Sequence, residues 1–229
     1  MRPGLVIFDC DGVLVDTETL ANRRLAEWLR EAGFETTYEQ CRATFCGRSM
    51  SAVKAEVEAA GVALGDDFVE RWNDGLAALF EGRVQAIPHV RGQVEAIRTA
   101  GLPYCVASSA RVTKMHLTLG ATGLLPLFED VLFSASMVGR GKPFPDLFLH
   151  AAASMGFSPA DCVVIEDSVP GTVAGIAAGM RVLSYCGDPH GDRAGLAAAG
   201  GELFDDMRDL AGMIGLDQPR PFADVLEHA

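Results

Sequence analysis

The segment 6–16, VIFDCDGVLVD, constrains the fold of this chain more than any other part of the sequence. Its apolar opening residues lead directly into Asp9, Asp11 and Gly12. Because alternate side chains of a strand point to opposite faces, the two aspartates project the same way, and Gly12 permits a sharp turn. Open α/β sheets bind ligands at the carboxyl ends of their strands, so this pair indicates a divalent metal, a carboxylate nucleophile, or both. A plain Asp-Gly turn is the alternative, but the position straight after a hydrophobic strand favours chemistry.

Strand-like and helix-like patterns alternate along the second part of the chain. We predict buried strands at 5–9, 104–107, 131–133, 161–165 and 181–185, and helices at 89–100, at 146–155 and from about residues 111 and 170. This alternation predicts the α/β fold class, with a mostly parallel sheet covered on both faces. The intervening residues 18–83 show helical patterns only, with apolar side chains recurring on one face.

The helical stretch interrupts the predicted sheet after its first strand. We therefore predict a core made of residues 1–16 and 87–229, with an all-helical insertion at 17–86. The two crossings, near Asp16 and Ala86, are expected to act as hinges. Asp16 either caps the first inserted helix or helps to close the site, and the sequence leaves both roles open.

The composition excludes several classes of function. A formal net charge of -12 disfavours nucleic acid and anionic membranes as partners, because no basic field attracts phosphate backbones. No apolar run approaches the roughly 18 residues of a membrane span, and no secretory signal opens the chain. The 6 cysteines lack a C-x-x-C pair or zinc spacing, which favours buried thiols in a reducing cytoplasm.

Polar residues follow three of the other predicted strands. Ser108 and Ser109 end one strand, and Glu166 and Asp167 end another. Lys142 follows a third. Parallel strands end at one edge of a sheet, so these groups are expected to meet the two N-terminal aspartates. Four carboxylates in a confined site need compensation, which Lys142 and a hard cation such as Mg²⁺ would supply, while Ser108 is placed to hold phosphate oxygens.

The four segments together resemble, in order, the motifs of the haloacid dehalogenase superfamily of phosphotransferases. They are DCDGVLVD at 9–16, Ser108 within ASS, Lys142 within GKPFPD, and EDS at 166–168 continuing to Gly171. The resemblance covers nearly the whole chain and implies a Rossmann-like core. The helical insertion resembles the small cap of the β-phosphoglucomutase-like subgroup, where the core performs the chemistry and the cap supplies selectivity.

The resemblance implies a role for each matching residue. Asp9 would be the nucleophile that forms an aspartyl-phosphate, and Asp11 would protonate the leaving oxygen and then activate water. Ser108 and Lys142 would hold the phosphoryl group and offset its developing charge. These four are the candidate catalytic residues.

The resemblance also implies a magnesium site and a substrate site. Asp167 would ligate Mg²⁺ directly and Glu166 would support it through water. The candidate metal residues are Asp9, Asp11, Glu166 and Asp167, with Asp11 acting through its backbone carbonyl. The candidate substrate residues are Gly12, Ser109 and Arg48.

The inserted segment carries the clues to substrate class. Arg48, in the loop 46–50, is the best cation for an anionic or hydroxyl-rich leaving group, although a surface arginine is the alternative. The 5 histidines all lie outside the insertion, whereas sugar-phosphate mutases of the subgroup carry one early in it. Short sequence segments, such as EDSV at 166–169 and DPH at 188–190, resemble those of bacterial sugar-acid phosphatases.

These features predict a Mg²⁺-dependent phosphatase acting on a small phosphorylated metabolite, namely a sugar, sugar-acid or polyol phosphate. A sugar-phosphate mutase and a non-enzymatic binding protein on the same scaffold are the alternatives. We expect a monomer or weak homo-oligomer. Gly171, Gly175 and Gly179 share one helical face and predict close packing of a helix on the sheet, and the segment 188–192 reads as an ordinary loop.

Overall fold

A parallel sheet of six strands forms the centre of the molecule. The computed structural model describes residues 2–45 and 50–216. The sheet order is β5-β4-β1-β6-β7-β8, and every neighbouring pair is parallel. Its strands are β1 (Leu5–Phe8), β4 (Tyr104–Ser108), β5 (Leu132–Ser134), β6 (Cys162–Glu166), β7 (Arg181–Tyr185) and β8 (Glu202–Phe204). Two further short strands, β2 (Val15–Asp16) and β3 (Gln85–Ala86), form a separate antiparallel ladder.

Both faces of the sheet are buried, as the continuous apolar strands predict. In β1, Val6 and Phe8 enter one hydrophobic cluster, while Leu5 and Ile7 enter another on the opposite face. The alternation follows from the two-residue period of a strand. Helices of the second part of the chain cover these faces: α5 (Val90–Thr99), α6 (Val112–Ala121), α7 (Leu125–Phe128), α8 (Asp146–Met155), α9 (Val169–Ala177), α10 (Arg193–Ala198) and α11 (Leu210–Met213). The predicted α/β fold class is confirmed.

Four inserted helices lie between β2 and β3. They are α1 (Glu18–Glu31), α2 (Tyr38–Phe45), α3 (Met50–Ala59) and α4 (Phe68–Phe80). Leu25 and Leu29 of α1 pack with Phe68 and Trp72 of α4 in a hydrophobic cluster of their own. Phe80, at the end of α4, belongs instead to a cluster of the sheet and joins the two cores. The domain limits at 17–86 stay a prediction.

Three details differ from the sequence expectation. Strand β8 was not predicted, because three residues at a sheet edge give too short a pattern to recognise. Of the three glycines predicted to share one helical face, Gly175 alone packs as expected, with an added Cβ falling 2.6 Å from Val182 on the sheet. An added Cβ at Gly171 would meet Glu166 instead, and Gly179 follows the helix with a φ of +75°.

None of the described helices is both long and apolar enough to cross a membrane.

Candidate active site

Asp9 lies at the carboxyl edge of the sheet, directly after the central strand β1. Its backbone N–H donates to the Ile165 carbonyl at 2.9 Å, which continues the pairing with β6 and fixes the residue. The carboxylate is buried, and the Lys142 ammonium donates to its Oδ1 at 2.5 Å. The same ammonium donates to Glu166 Oε1 at 2.6 Å. Lys142 therefore bridges the ends of two neighbouring strands.

Glu166 is fully buried and its two oxygens have different tasks. Oε1 accepts from Lys142, while Oε2 accepts from the backbone N–H groups of Asp167 and Ser168 and from the Ser168 hydroxyl, at 2.8–2.9 Å. Ser168 is also the N-cap of α9, where its hydroxyl accepts from the Gly171 N–H, as the sequence predicted. Glu166 thus holds Lys142 in place and links the site to the start of a helix.

Three carboxylates converge on one point beside Lys142. Asp9, Glu166 and Asp167 each offer an oxygen, and these oxygens lie within 4.8 Å of one another. Burial raises the pKa of Asp9 to about 7 against the lowering effect of Lys142, and burial together with the Glu166 charge raises the pKa of Asp167 well above its usual range. Burial lowers the pKa of Lys142, but the charges of Asp9 and Glu166 outweigh it and raise that pKa. One ammonium does not offset three carboxylates, so the donor set fits a divalent cation such as Mg²⁺.

Gly12 lies against the carboxylate of Asp167, one of the three that converge. Its φ is +83°, and a Cβ there would overlap the Asp167 carboxylate. Glycine lets the backbone turn close to Asp167 at this point. The structure places Gly12 beside the carboxylate cluster, and its role in binding substrate stays a prediction.

The Asp11 carboxylate is held by two other side chains. Its Oδ1 accepts from the Thr17 hydroxyl at 2.6 Å, and its Oδ2 accepts from the Lys114 ammonium at 2.9 Å. The expected convergence of four carboxylate side chains is therefore met by three of them, because the Asp11 oxygens are not among those that converge. Asp11 instead lies beside Thr17 and Lys114, which line a cavity next to the inserted helices.

Lys114 and Thr17 are residues that sequence reasoning missed. Lys114 is the third residue of α6, in the first turn, where a positive charge opposes the helix dipole. That unfavourable position was the available signal, since a lysine there needs a compensating carboxylate. Burial lowers the pKa of Lys114, but the Asp11 charge and hydrogen bond outweigh it and raise that pKa, so the side chain is charged.

The two serines after β4 are placed differently. Ser108 is buried at the end of the strand, and its hydroxyl accepts from the Ala110 N–H at 3.1 Å. Ser109 is exposed. Arg48 lies outside the described residues. Asp16 accepts from the Thr19 N–H at 3.1 Å, which is the interaction of a helix cap.

A cavity of about 280 Å³ lies between the inserted helices and the core. Its lining combines apolar walls with a few polar groups at the end that carries Lys114, which suits a compact ligand. The lining residues are Thr17, Glu18, Ala21, Asn22, Leu25, Phe45, Met50, Trp72, Leu76, Phe80 and Lys114.

A second contact joins the inserted helices to the core beyond this cavity. Arg42 of α2 is buried and forms an ion pair with Asp188, in the loop after β7. Within residues 2–45 and 50–216, the Arg42 Nε and Nη1 atoms find no hydrogen-bond partner. His190 of the same loop packs edge-on against Tyr38 of α2. The predicted loop at 188–192 is therefore a docking contact for the inserted helices.

Comparison with known proteins agrees with this architecture. Residues 3–179 match the haloacid dehalogenase-like hydrolase family. The 6-phosphogluconate phosphatase of Escherichia coli (strain K12) is 35% identical over 187 residues, covering 81% of this chain and 83% of that protein. Hexitol phosphatase A of the same organism is 30% identical over 192 residues, covering 80% and 83%. A solved structure of a HAD family hydrolase from Deinococcus radiodurans R1, with bound phosphate and sodium, has 32% identity and a TM-score of 0.82, covering 93% of this chain and 95% of that one. The chain belongs to the haloacid dehalogenase-like hydrolase family.

Proposed function

We propose that this chain is a Mg²⁺-dependent phosphatase that hydrolyses small phosphorylated sugars, sugar acids or polyols through an aspartyl-phosphate on Asp9. The observation that carries the proposal is the buried cluster in which Lys142 bridges Asp9 and Glu166 beside Asp167. Such a cluster combines a carboxylate nucleophile, a fixed cation and ligands for a hard metal ion. The phosphatase relatives support the same reaction class.

Asp9 is suited to attack phosphorus because its surroundings fix it and limit access of water. The Asp9 residue is 7% exposed, and the hydrogen bond from Lys142 orients its carboxylate. The Lys142 ammonium, 2.5 Å from the nucleophile, lies where the transferred phosphoryl oxygens gain charge. Ser108, at the end of the adjacent strand β4, would hold one of these oxygens. Mg²⁺, when bound by Asp9 and Asp167, would neutralise further charge on the phosphoryl group.

Asp11 is suited to proton transfer because it lies two residues after Asp9 and bonds Thr17 and Lys114, which both line the cavity. It would donate a proton to the leaving oxygen in the first step and accept one from water in the second. Thr17 and Lys114 hold its carboxylate near the cavity, so a modest rotation brings it to the leaving group. In this proposal the nucleophile, Asp9, and the acid–base residue, Asp11, are two separate carboxylates two residues apart in the chain.

The lining of the cavity favours hydrolysis over the mutase alternative. A mutase must bind a second sugar phosphate as acceptor and exclude water. Among the described residues that line the cavity, none is a histidine and the one cation is Lys114. Its small volume suits one compact leaving group. The cytoplasmic location and the oligomeric state stay predictions.

An aryl phosphate assay with Mg²⁺ tests the reaction class. We expect turnover by the wild type and its loss in Asp9→Asn, because the amide is nearly isosteric but a poor nucleophile. The matched control is Asp130→Asn, an exposed aspartate of the loop before β5, which should retain full activity. Retained turnover in Asp9→Asn would overturn the nucleophile assignment, and rapid interconversion of β-glucose 1-phosphate and glucose 6-phosphate without phosphate release would favour the mutase.

A further inference from the structure

Lys114 reaches the cavity from the core and not from the inserted helices. It belongs to α6, which follows β4 and its phosphate-binding Ser108. Its backbone is therefore positioned by the core, as are Asp9 and Lys142. Among the described residues that line the cavity, it supplies the one positive charge.

Lys114 pairs with Asp11, which the proposed reaction needs at the leaving oxygen. The ammonium donates to Asp11 at 2.9 Å and lies 5.4 Å from the centre of the Phe80 ring. In the proposed reaction Asp11 works on the leaving oxygen, so this ion pair must loosen as the substrate binds. A charge held against the apolar Phe80 ring needs a polar partner, and an oxygen of the leaving group in this cavity can take the place of Asp11.

The rest of the lining combines apolar side chains with three polar ones. Leu25, Trp72 and Leu76 offer no acceptor, whereas Thr17, Glu18 and Asn22 carry side-chain oxygens. The Thr17 hydroxyl donates to Asp11 at 2.6 Å, and the Glu18 carboxylate accepts from the Asn22 side chain at 2.9 Å. A carboxylate on the leaving group would restore a full ion pair to Lys114, whereas a hydroxyl would give it a weaker, neutral acceptor.

We propose that Lys114 is a specificity-determining residue that binds a carboxylate of the leaving group, so that the preferred substrates are phosphorylated sugar acids. The inference rests on the proposed function and narrows its substrate class. It assigns selectivity to a core helix, in addition to the inserted helices that surround the substrate. Lys114 exchanges Asp11 for the substrate carboxylate as the substrate binds.

Two substrates that differ at one carbon test the proposal. 6-Phosphogluconate carries a carboxylate where sorbitol 6-phosphate carries a hydroxymethyl group, and the chains otherwise match in length. We expect the wild type to have the higher kcat/KM for the acid. Lys114→Met should lower the acid-to-polyol ratio of kcat/KM about tenfold or more, the range typical of a lost hydrogen bond between charged groups.

Two further variants separate recognition from structural damage. Lys114→Arg keeps the charge and should keep most of the ratio, and it covers the case in which Lys114→Met does not fold. Lys54→Met removes an equal charge from α3, where Lys54 pairs with Glu58 at 2.8 Å, and should leave the ratio unchanged.

The outcomes distinguish this proposal from the proposed function. A wild type that cleaves both substrates with a ratio below one, or a Lys114→Met ratio equal to that of the wild type, would refute the role of Lys114 alone. A wild type that cleaves neither of these substrates nor an aryl phosphate would refute the phosphatase itself and this assignment with it.

Discussion

Gly171→Ala is a one-carbon change that should disable the site from outside the reacting groups. Gly171 is buried at the third residue of α9, and a Cβ there would overlap the Glu166 carboxylate carbon and both of its oxygens. Glu166 is fully buried, so it cannot move into solvent to make room. The carboxylate must shift by about 1 Å or more to reach an ordinary contact distance.

The cost follows from the four hydrogen bonds that the shift disturbs. Lys142 donates to Glu166 at 2.6 Å, and Asp167 and Ser168 supply three more donors at 2.8–2.9 Å. A hydrogen bond to a buried charged group contributes about 1.5–3 kcal/mol, and we expect two of the four to be lost. Alanine in a helix recovers about 1 kcal/mol relative to glycine. The net loss in free energy of unfolding is therefore about 2–5 kcal/mol.

Denaturant unfolding and phosphatase turnover measure the two consequences. Gly171→Ala should lower the unfolding free energy by the amount above, and it should lower kcat because Lys142 loses its fixed position. Gly92→Ala is the matched control, since Gly92 is also the third residue of a helix, α5, and an added Cβ there meets nothing within 4 Å. The control should be neutral or up to about 1 kcal/mol more stable. A Gly171→Ala protein as stable and as active as the control would refute the reasoning.

Three other predictions test the metal site and the contact between the inserted helices and the core. Burial raises the Asp9 pKa to about 7, above its value of about 3.9 in the unfolded chain. Ionisation of Asp9 therefore lowers the free energy of unfolding of the metal-free protein as pH rises from about 4 to 7. Mg²⁺ favours the ionised carboxylate, so the increase in Tm on adding Mg²⁺ should be larger at about pH 8 than at about pH 5, and equal increases would contradict this. In titration calorimetry, Asp167→Asn should weaken Mg²⁺ binding more than Asp11→Asn, because the Asp11 side chain is not part of the cluster. The reverse order would count against the cluster as the metal site. Asp188→Ala should lower the free energy of unfolding by about 1–3 kcal/mol, less than the loss of a fully buried ion pair, because Asp188 is partly exposed. Adding Arg42→Met should recover part of this loss, because it removes the buried charge that Asp188→Ala leaves unpaired. A further loss of stability in the double variant would argue against that cause.

The parallel sheet accounts for most of what the sequence predicts about the site. Asp9, Lys142 and the adjacent pair Glu166 and Asp167 come from three distant parts of the chain, yet each lies at or beyond the end of a predicted strand. Once the strands are parallel, their ends meet at one edge, and no side-chain detail is needed to bring these groups together. The same reasoning predicts α8 at 146–155 and the Ser168 cap of α9.

What the sequence did not predict depends on tertiary contacts that leave no local pattern. The direction of the Asp11 side chain is set by Lys114, about a hundred positions away in sequence. Arg42 looks like a solvated charge of an amphipathic helix, and its burial follows from the docking of α2 on the loop of Asp188. Gly171 shares its helical face with Gly175, so periodicity could not show that one faces a carboxylate and the other the sheet.

The two-residue ladder of β2 and β3 links the position of the inserted helices to the turn that bears Asp11. Val15 pairs with Ala86 and Asp16 with Gln85, so both chain crossings into the inserted helices form one ribbon. Val15 also bridges back to Asp11. A substrate too large for the cavity would displace the inserted helices from the core. Because the ribbon connects these helices to the turn that bears Asp11, that turn would shift with them. In the proposed reaction, the phosphate of such a substrate would still bind near Asp9, but proton transfer by the displaced Asp11 would be slower. The larger substrate would therefore have a lower kcat, with a smaller change in KM.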